Sequence, residues 1–274
     1  MNNANYFQLH EIAELVSAEL AAGLELRMFH TFLSDVSGSS RVSPFQTMDR
    51  ANDLLTAARE GRSGAVEWLF NAMKEAPEPG DTRLFERVCA EAASGGHIDV
   101  IQVLRANGCP WDSDTCALAA ANGHLECLQL AGVNGCEWYE DTCASAAKNG
   151  HLHCLRWARE NGCPWDSDTC ALAAANGHLE CLKWAGVNGC EWYEDTCASA
   201  AKNGHLECLQ WARENGCPWN AWTCASAAAN GHLDCLQWAR ENGCPWDRRT
   251  CAWAAGNGHL DCLRWASENG CPWN

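Results

Sequence analysis

The stretch GCPWDSDTCALAAANGHLECL, residues 108–128, sets three cysteines, one histidine and two aspartates within 21 residues. Thiols and imidazoles are zinc ligands, and a structural zinc site needs four of them in a tetrahedron, commonly supplied by close pairs such as C-x2-C. Here Cys109, Cys116, Cys127 and Cys136 are separated by 7, 11 and 9 residues, and no close pair occurs anywhere in the chain. The same thiols could act as a redox buffer. They also suit a packing role, because an unoxidised cysteine behaves as a small buried hydrophobe. Packing is the favoured reading, with metal binding or redox buffering as the alternative; no metal ligand, cofactor site or catalytic residue is assigned.

The histidines and tryptophans recur in the same way. His124 is repeated as His151, His178, His205, His232 and His259, each directly after a glycine: Gly123, Gly150, Gly177, Gly204, Gly231 and Gly258. No carboxylate or nucleophile recurs at a partner position, so a general base is not indicated. Tryptophan falls on two columns, one from Trp111 to Trp273 and one from Trp157 to Trp265. A ladder of indoles can stack nucleobases, but phosphate binding draws on lysine and arginine clusters. The chain has 19 basic against 35 acidic residues, a net charge of −16. Residues 112–219 hold 6 of the basic and 15 of the acidic ones. No nucleic-acid partner is expected, and the indoles are read as packing between repeats.

No run of about 18 apolar residues is present, so no membrane span is expected. The opening residues lack a basic start and an uninterrupted apolar core, so no secretory signal is read there. Twenty cysteines in such a chain point to a reducing compartment, cytoplasmic or nuclear.

All these residues return on one period. Gly-Cys recurs from Gly108 to Gly270 at steps of 27 residues, and residues 112–165 nearly repeat as 166–219. A fixed period of this kind means a stacked, quasi-one-dimensional protein. Within a unit, TCASAA (142–147) reads as a helix that the threonine or the aspartate before it can cap, stopped by Asn149-Gly150. HLHCLRWAREN, from His151, reads as a longer second helix with Leu152, Leu155, Trp157 and Ala158 on one stripe.

The pattern TCALAAANGHLECLQLAGVNGCEW, residues 115–138, resembles the ankyrin-repeat family in its alanine pair, its Gly-His-Leu and the glycine twelve residues later. The resemblance covers about 51–274, with ANDLLTAAREGRSGAVEWLF (51–70) similar to an N-terminal capping repeat. It implies an all-α helix-turn-helix repeat solenoid. Ankyrin repeats usually take about 33 residues, so the β-hairpin fingers are expected to be shortened or absent. The expected organisation is a helical N-terminal segment and linker at 1–47, a capping repeat at 48–80 and an array of about seven units at 81–274. The resemblance further implies that the glycine–histidine pairs brace the turns.

It also implies a non-enzymatic scaffold that binds a protein partner through its concave face. The positions that differ between units are the candidates for contact. Lys148 and Lys202 alternate with alanine, while Trp222, Arg248, Arg249 and Trp253 replace polar, small or acidic residues in the last two units. The final unit ends on NGCPWN, and its apolar face is expected to be covered by a partner or another copy. A structural subunit contacting neighbours through its ends is the other alternative.

Overall fold

The computed structural model describes residues 50–75, 81–112 and 114–273. The segment expected at 1–47 and the start of the capping repeat lie outside these. Sixteen helices and no strand are found among the described residues. The first four are α1 (Arg50–Arg59), α2 (Ser63–Glu75), α3 (Asp81–Gly95) and α4 (Ile98–Ala106). Then come α5 (Asp114–Ala121), α6 (Leu125–Val133), α7 (Glu140–Lys148), α8 (Leu152–Glu160), α9 (Ser167–Ala175) and α10 (Leu179–Val187). The last are α11 (Glu194–Lys202), α12 (Leu206–Glu214), α13 (Ala221–Ala229), α14 (Leu233–Glu241), α15 (Arg248–Gly256) and α16 (Leu260–Glu268). Odd-numbered helices form one layer and even-numbered helices the other, an all-α repeat solenoid.

The expected longer second helix is not longer. From α7 onward both helices of each unit span nine residues, because Asn-Gly stops both. At the end of α7, the Asn149 side chain donates to Ser145 O at 2.9 Å and the His151 N–H to Ala146 O at 2.9 Å. Gly150, at φ 78°, supplies the left-handed turn. The helix starts also differ from expectation. Thr142 is fully buried within α7, and its preceding aspartate lies inside the helix. The cap is the residue three before the threonine: Asp112, Asp166, Asn220 and Asp247 accept the N–H of Asp114, Asp168, Trp222 and Arg249. Tyr139 and Tyr193 occupy that position without a side-chain cap, and Glu140-Asp141 and Glu194-Asp195 compensate by placing two carboxylates in the first turn.

The odd helices pack on one another much more closely than the even helices do. Their contact faces explain it: Thr, Cys and Ala side chains, such as Thr142, Cys143, Ala146 and Ala147 at 0% exposure, let the backbones approach. The array therefore closes on the odd-helix side, called inner below. The even helices supply the bulk. Leu128, Leu155, Leu182, Leu209 and Leu236 are fully buried, each contributing about 1.5–3 kcal/mol relative to exposure. All twenty cysteines are buried as free thiols.

Two contacts join neighbouring units. The first is an imidazole set over the preceding turn: a Cβ built on Gly177 would lie 2.6 Å from His205 Nδ1, and Gly123 stands in the same relation to His151. The His124 Nε2–H reaches across to Ser94 O at 3.1 Å. The second is indole on indole. Trp138 meets Trp157 edge to face at 5.5 Å, and the same pairing joins Trp165 to Trp184, Trp192 to Trp211, Trp219 to Trp238 and Trp246 to Trp265. Such a pair adds about 0.5–1.5 kcal/mol beyond burial.

The 54-residue pairing of units has a local cause. Arg159 lies 4.5 Å over Trp165 and donates to Cys163 O at 3.2 Å, and Arg213 does the same with Trp219 and Cys217 O. At the equivalent position in alternate units stand Gly132 and Gly186, where any side chain would strike Trp138 with Trp157, or Trp192 with Trp211.

Gly177→Ala should therefore destabilise the array more than Gly189→Ala. Both glycines have positive φ (75° and 84°), but a Cβ at Gly189 meets nothing within 4 Å. Backbone strain of about 1–3 kcal/mol applies to both, and only Gly177→Ala also displaces a histidine; urea unfolding midpoints check the order. Native thiols should react slowly with an alkylating reagent and quickly in denaturant, since burial pushes Cys181 up to about 11. Cys181→Ser should cost about 1–3 kcal/mol, from a buried hydroxyl lacking an assured partner.

Candidate functional site: a groove on the inner helices

Offsets of four and three residues on an inner helix mark one stripe, and this stripe faces solvent in every unit. Its first column runs Asp114, Asp141, Asp168, Asp195, Trp222, Arg249. The second runs Leu118, Ser145, Leu172, Ser199, Ser226, Trp253, and the third Ala121, Lys148, Ala175, Lys202, Ala229, Gly256. The register is the 27-residue period itself, so side chains that are distant in sequence become lateral neighbours.

Across α11, α13 and α15 the stripe deepens into an open cleft of about 470 Å³, lined by Asp195, Ser199, Lys202, Trp222, Asn230 and Trp253 among others. Trp222 and Trp253 meet at 4.9 Å with their planes tilted by 51°, and Trp222 is 48% exposed. Ala198, Ser226 and Ala229 line the cleft beside the two indoles. The cleft thus combines an apolar floor with one carboxylate and one ammonium.

The structure brings Lys202, Trp222 and Trp253 together and leaves the other candidates apart. Lys148 occupies the Lys202 position two units away and does not line the cleft. Arg248 is exposed and likewise outside it. Arg249 lies 4.8 Å over Trp222, but its guanidinium is held by Asp247 through contacts of 2.6 and 3.0 Å. That bond keeps the Asp247 carboxyl below its ordinary range. Arg249 therefore supports Trp222 instead of offering a free charge. Asp195, Ser199 and Asn230 were not singled out from the sequence, although the column register carries the signal that places them.

The turn histidines do not open onto the groove. His124, His151, His178, His205 and His232 cover Gly96, Gly123, Gly150, Gly177 and Gly204, and His259 covers Gly231, while Gly258 has no histidine over it. Each is the first residue before an outer helix and makes no side-chain cap there. Among the described residues, no group of three or more metal-type ligands converges, and no helix is long and apolar enough to cross a membrane.

Residues 197–240 and 224–267 match the sequence profile of the family described as ankyrin repeats (many copies). Residues 197–267 are similar to ankyrin repeats. The two matches are offset by one 27-residue unit and run from α11 to α16, so they include all of the cleft lining but Asp195. Among solved structures, the human ASB11 ankyrin repeat domain aligns over 60% of this chain and 84% of that one, at 18% identity and a TM-score of 0.49. No curated protein matches. The units here take 27 residues, with six-residue connections such as 161–166 where a longer repeat has room for a projecting finger.

Burial lowers the pKa of His151, with its flanking imidazoles His124 and His178 acting in the same direction, against a hydrogen bond to the Ala121 carbonyl. The folded state thus binds a proton on His151 less readily than the unfolded chain. The contribution is full above the unfolded value of about 6.5 and is lost as pH falls from there through the folded value. The melting temperature should therefore drop between pH 7 and 5.5, and His151→Gln should reduce that drop while lowering stability at pH 7.

Proposed function

We propose that this ankyrin-repeat array is a non-enzymatic scaffold that holds a protein partner in its inner-helix groove, with the contact centred on Trp222, Trp253 and Lys202. The observation that carries the reading is the indole pair at the groove, with Trp222 48% exposed, in two columns that hold aspartate, or leucine and serine, in the earlier units. The indole pairs of the connections and outer helices pack against the core, whereas Trp222 on this pair is 48% exposed at the groove. Tryptophan and arginine dominate interface energetics when a partner covers them. The cleft is open, and ankyrin repeats generally serve as protein-interaction modules, so a macromolecular surface fits better than a small substrate. The net charge of −16 opposes a nucleic-acid partner. Twenty free thiols suit a reducing compartment, the cytoplasm or nucleus.

Capture with the intact chain, then with variants, tests the reading. Trp222→Ala and Trp253→Ala should each weaken the captured protein's binding at least tenfold, about 1.4 kcal/mol or more, with unchanged helical circular dichroism. Lys202→Glu should weaken it less. Gln210→Glu and Gln237→Glu, on the outer helices, should leave it intact. Equal losses from the inner and outer sets would remove the groove as the site. Concentration-dependent sedimentation of the chain alone would instead favour a structural subunit joined to its own copies.

A further inference from the structure

The inner stripe carries a row of charge that runs up to the indole cleft. Asp114, Asp141, Asp168 and Asp195 fill its first column in four consecutive units and are all exposed. None of the four joins an ion pair among the described residues, and Glu140 and Glu194 add a second exposed carboxylate beside two of them. Where the column turns to arginine, by contrast, Arg249 is paired with Asp247 at 2.6 Å. The helix dipole favours a carboxylate in a first turn, but it does not account for the row. Helices α5 and α9 have side-chain caps and still carry Asp114 and Asp168, whereas α13 and α15 carry Trp222 and Arg249 at the same place.

The row has a fixed pitch. Inner helices pack on one another through alanine, cysteine and threonine, and helix axes in contact lie about 8–10 Å apart. Carboxylates at that separation are about one Debye length from each other at physiological salt, so they repel along the row until cations lie over them. Lys148 and Lys202 do not serve. Each stands seven residues further along its own helix, about 10 Å from the aspartate. Between the two columns lie Leu118, Ser145, Leu172 and Ser199, all partly buried, which form a partly apolar ledge. At the next step of the same pitch, aspartate gives way to Trp222.

We propose, with the groove taken as the partner site, that the partner presents an extended basic segment in the polyproline II conformation. Its lysine or arginine side chains, one at every third residue, lie over Asp114, Asp141, Asp168 and Asp195. At the next third position an apolar side chain meets Trp222 and Trp253. Polyproline II has three residues per turn and a rise of about 3.1 Å, so every third side chain returns to one face after about 9 Å. That matches the row. A β-strand returns to one face after two residues, about 6.6 Å, and falls out of step within two units. An α-helix comes back into step only at about every seventh residue, and it is straight and about 10–12 Å thick, while this array closes toward its inner helices. A nucleic-acid strand, though extended, is repelled by the same carboxylates.

Fluorescence anisotropy of labelled synthetic peptides on the full chain tests this. The probe repeats Arg-Pro-Pro four times with a leucine at each end, and a control of the same composition has its arginines contiguous. The spaced probe should bind about tenfold more tightly than the control. Asp141→Asn and Asp168→Asn should each weaken it about threefold, the scale of one exposed ion pair, and together about tenfold, with unchanged helical circular dichroism. Glu126→Gln with Glu207→Gln, on the outer helices, makes the same change in net charge and should leave binding intact. Equal affinity for the two peptides, no binding of either, or equal losses from inner and outer carboxylates would overturn the proposal. Tighter binding of a helical peptide with arginine at every seventh residue would do the same. The captured partner separates this outcome from that of the groove itself. If Trp222→Ala weakens its binding but Asp141→Asn with Asp168→Asn does not, the groove stands and the basic segment is overturned. If neither variant weakens it, both fall, and losses from both support the segment.

Discussion

Close approach of the inner helices is the constraint on which the rest of the structure depends. Backbones can come this near only when the side chains between them are small, and the contact faces are accordingly threonine, cysteine and alanine at or near zero exposure. Small residues bury little area each, so the inner layer cannot stabilise the array alone. The deficit is met in the outer layer, where one fully buried leucine per unit and the inter-unit indole pairs supply the apolar bulk. Cysteine abundance follows from the same requirement, since it is the next apolar side chain up from alanine and fits where leucine would force the helices apart.

A second consequence is that cohesion passes from unit to unit through few contacts. Histidine over the preceding glycine fixes the turns on one side, and indole against indole fixes the outer helices on the other. In a linear array, stability is close to a sum of unit and nearest-neighbour terms, so each glycine, histidine and tryptophan acts on two units at once. Beside the indoles, Arg159, Arg213 and Arg240 each lie over one tryptophan, whereas Gly132 and Gly186 leave the ring edges against the backbone.

Scaffold and surface are consequently divided along every inner helix. Buried positions repeat almost without change, while the stripe facing the groove drifts from aspartate and leucine in the early units to tryptophan and arginine in the last two. A column can hold Asp195 and Trp222 in consecutive units without disturbing the stacking, because neither side chain enters the core. This freedom lets one backbone present an acidic stretch followed by an aromatic cleft.

The 27-residue period, the two helices per unit and the buried faces of cysteine, alanine and leucine were legible in the sequence, because each unit states them again and periodicity is a local property. Capping was misread. The threonine looked like the cap but is an inner-face packing residue, and only the helix start observed at Asp166–Asp168 shows which oxygen meets which N–H. The contacts across units were not legible either. That His205 covers Gly177 and that Trp222 meets Trp253 depend on how far one unit rotates and shifts against the next. That displacement is set by the summed fit of small inner faces against large outer ones, a property of the stacked pair which no single repeat contains.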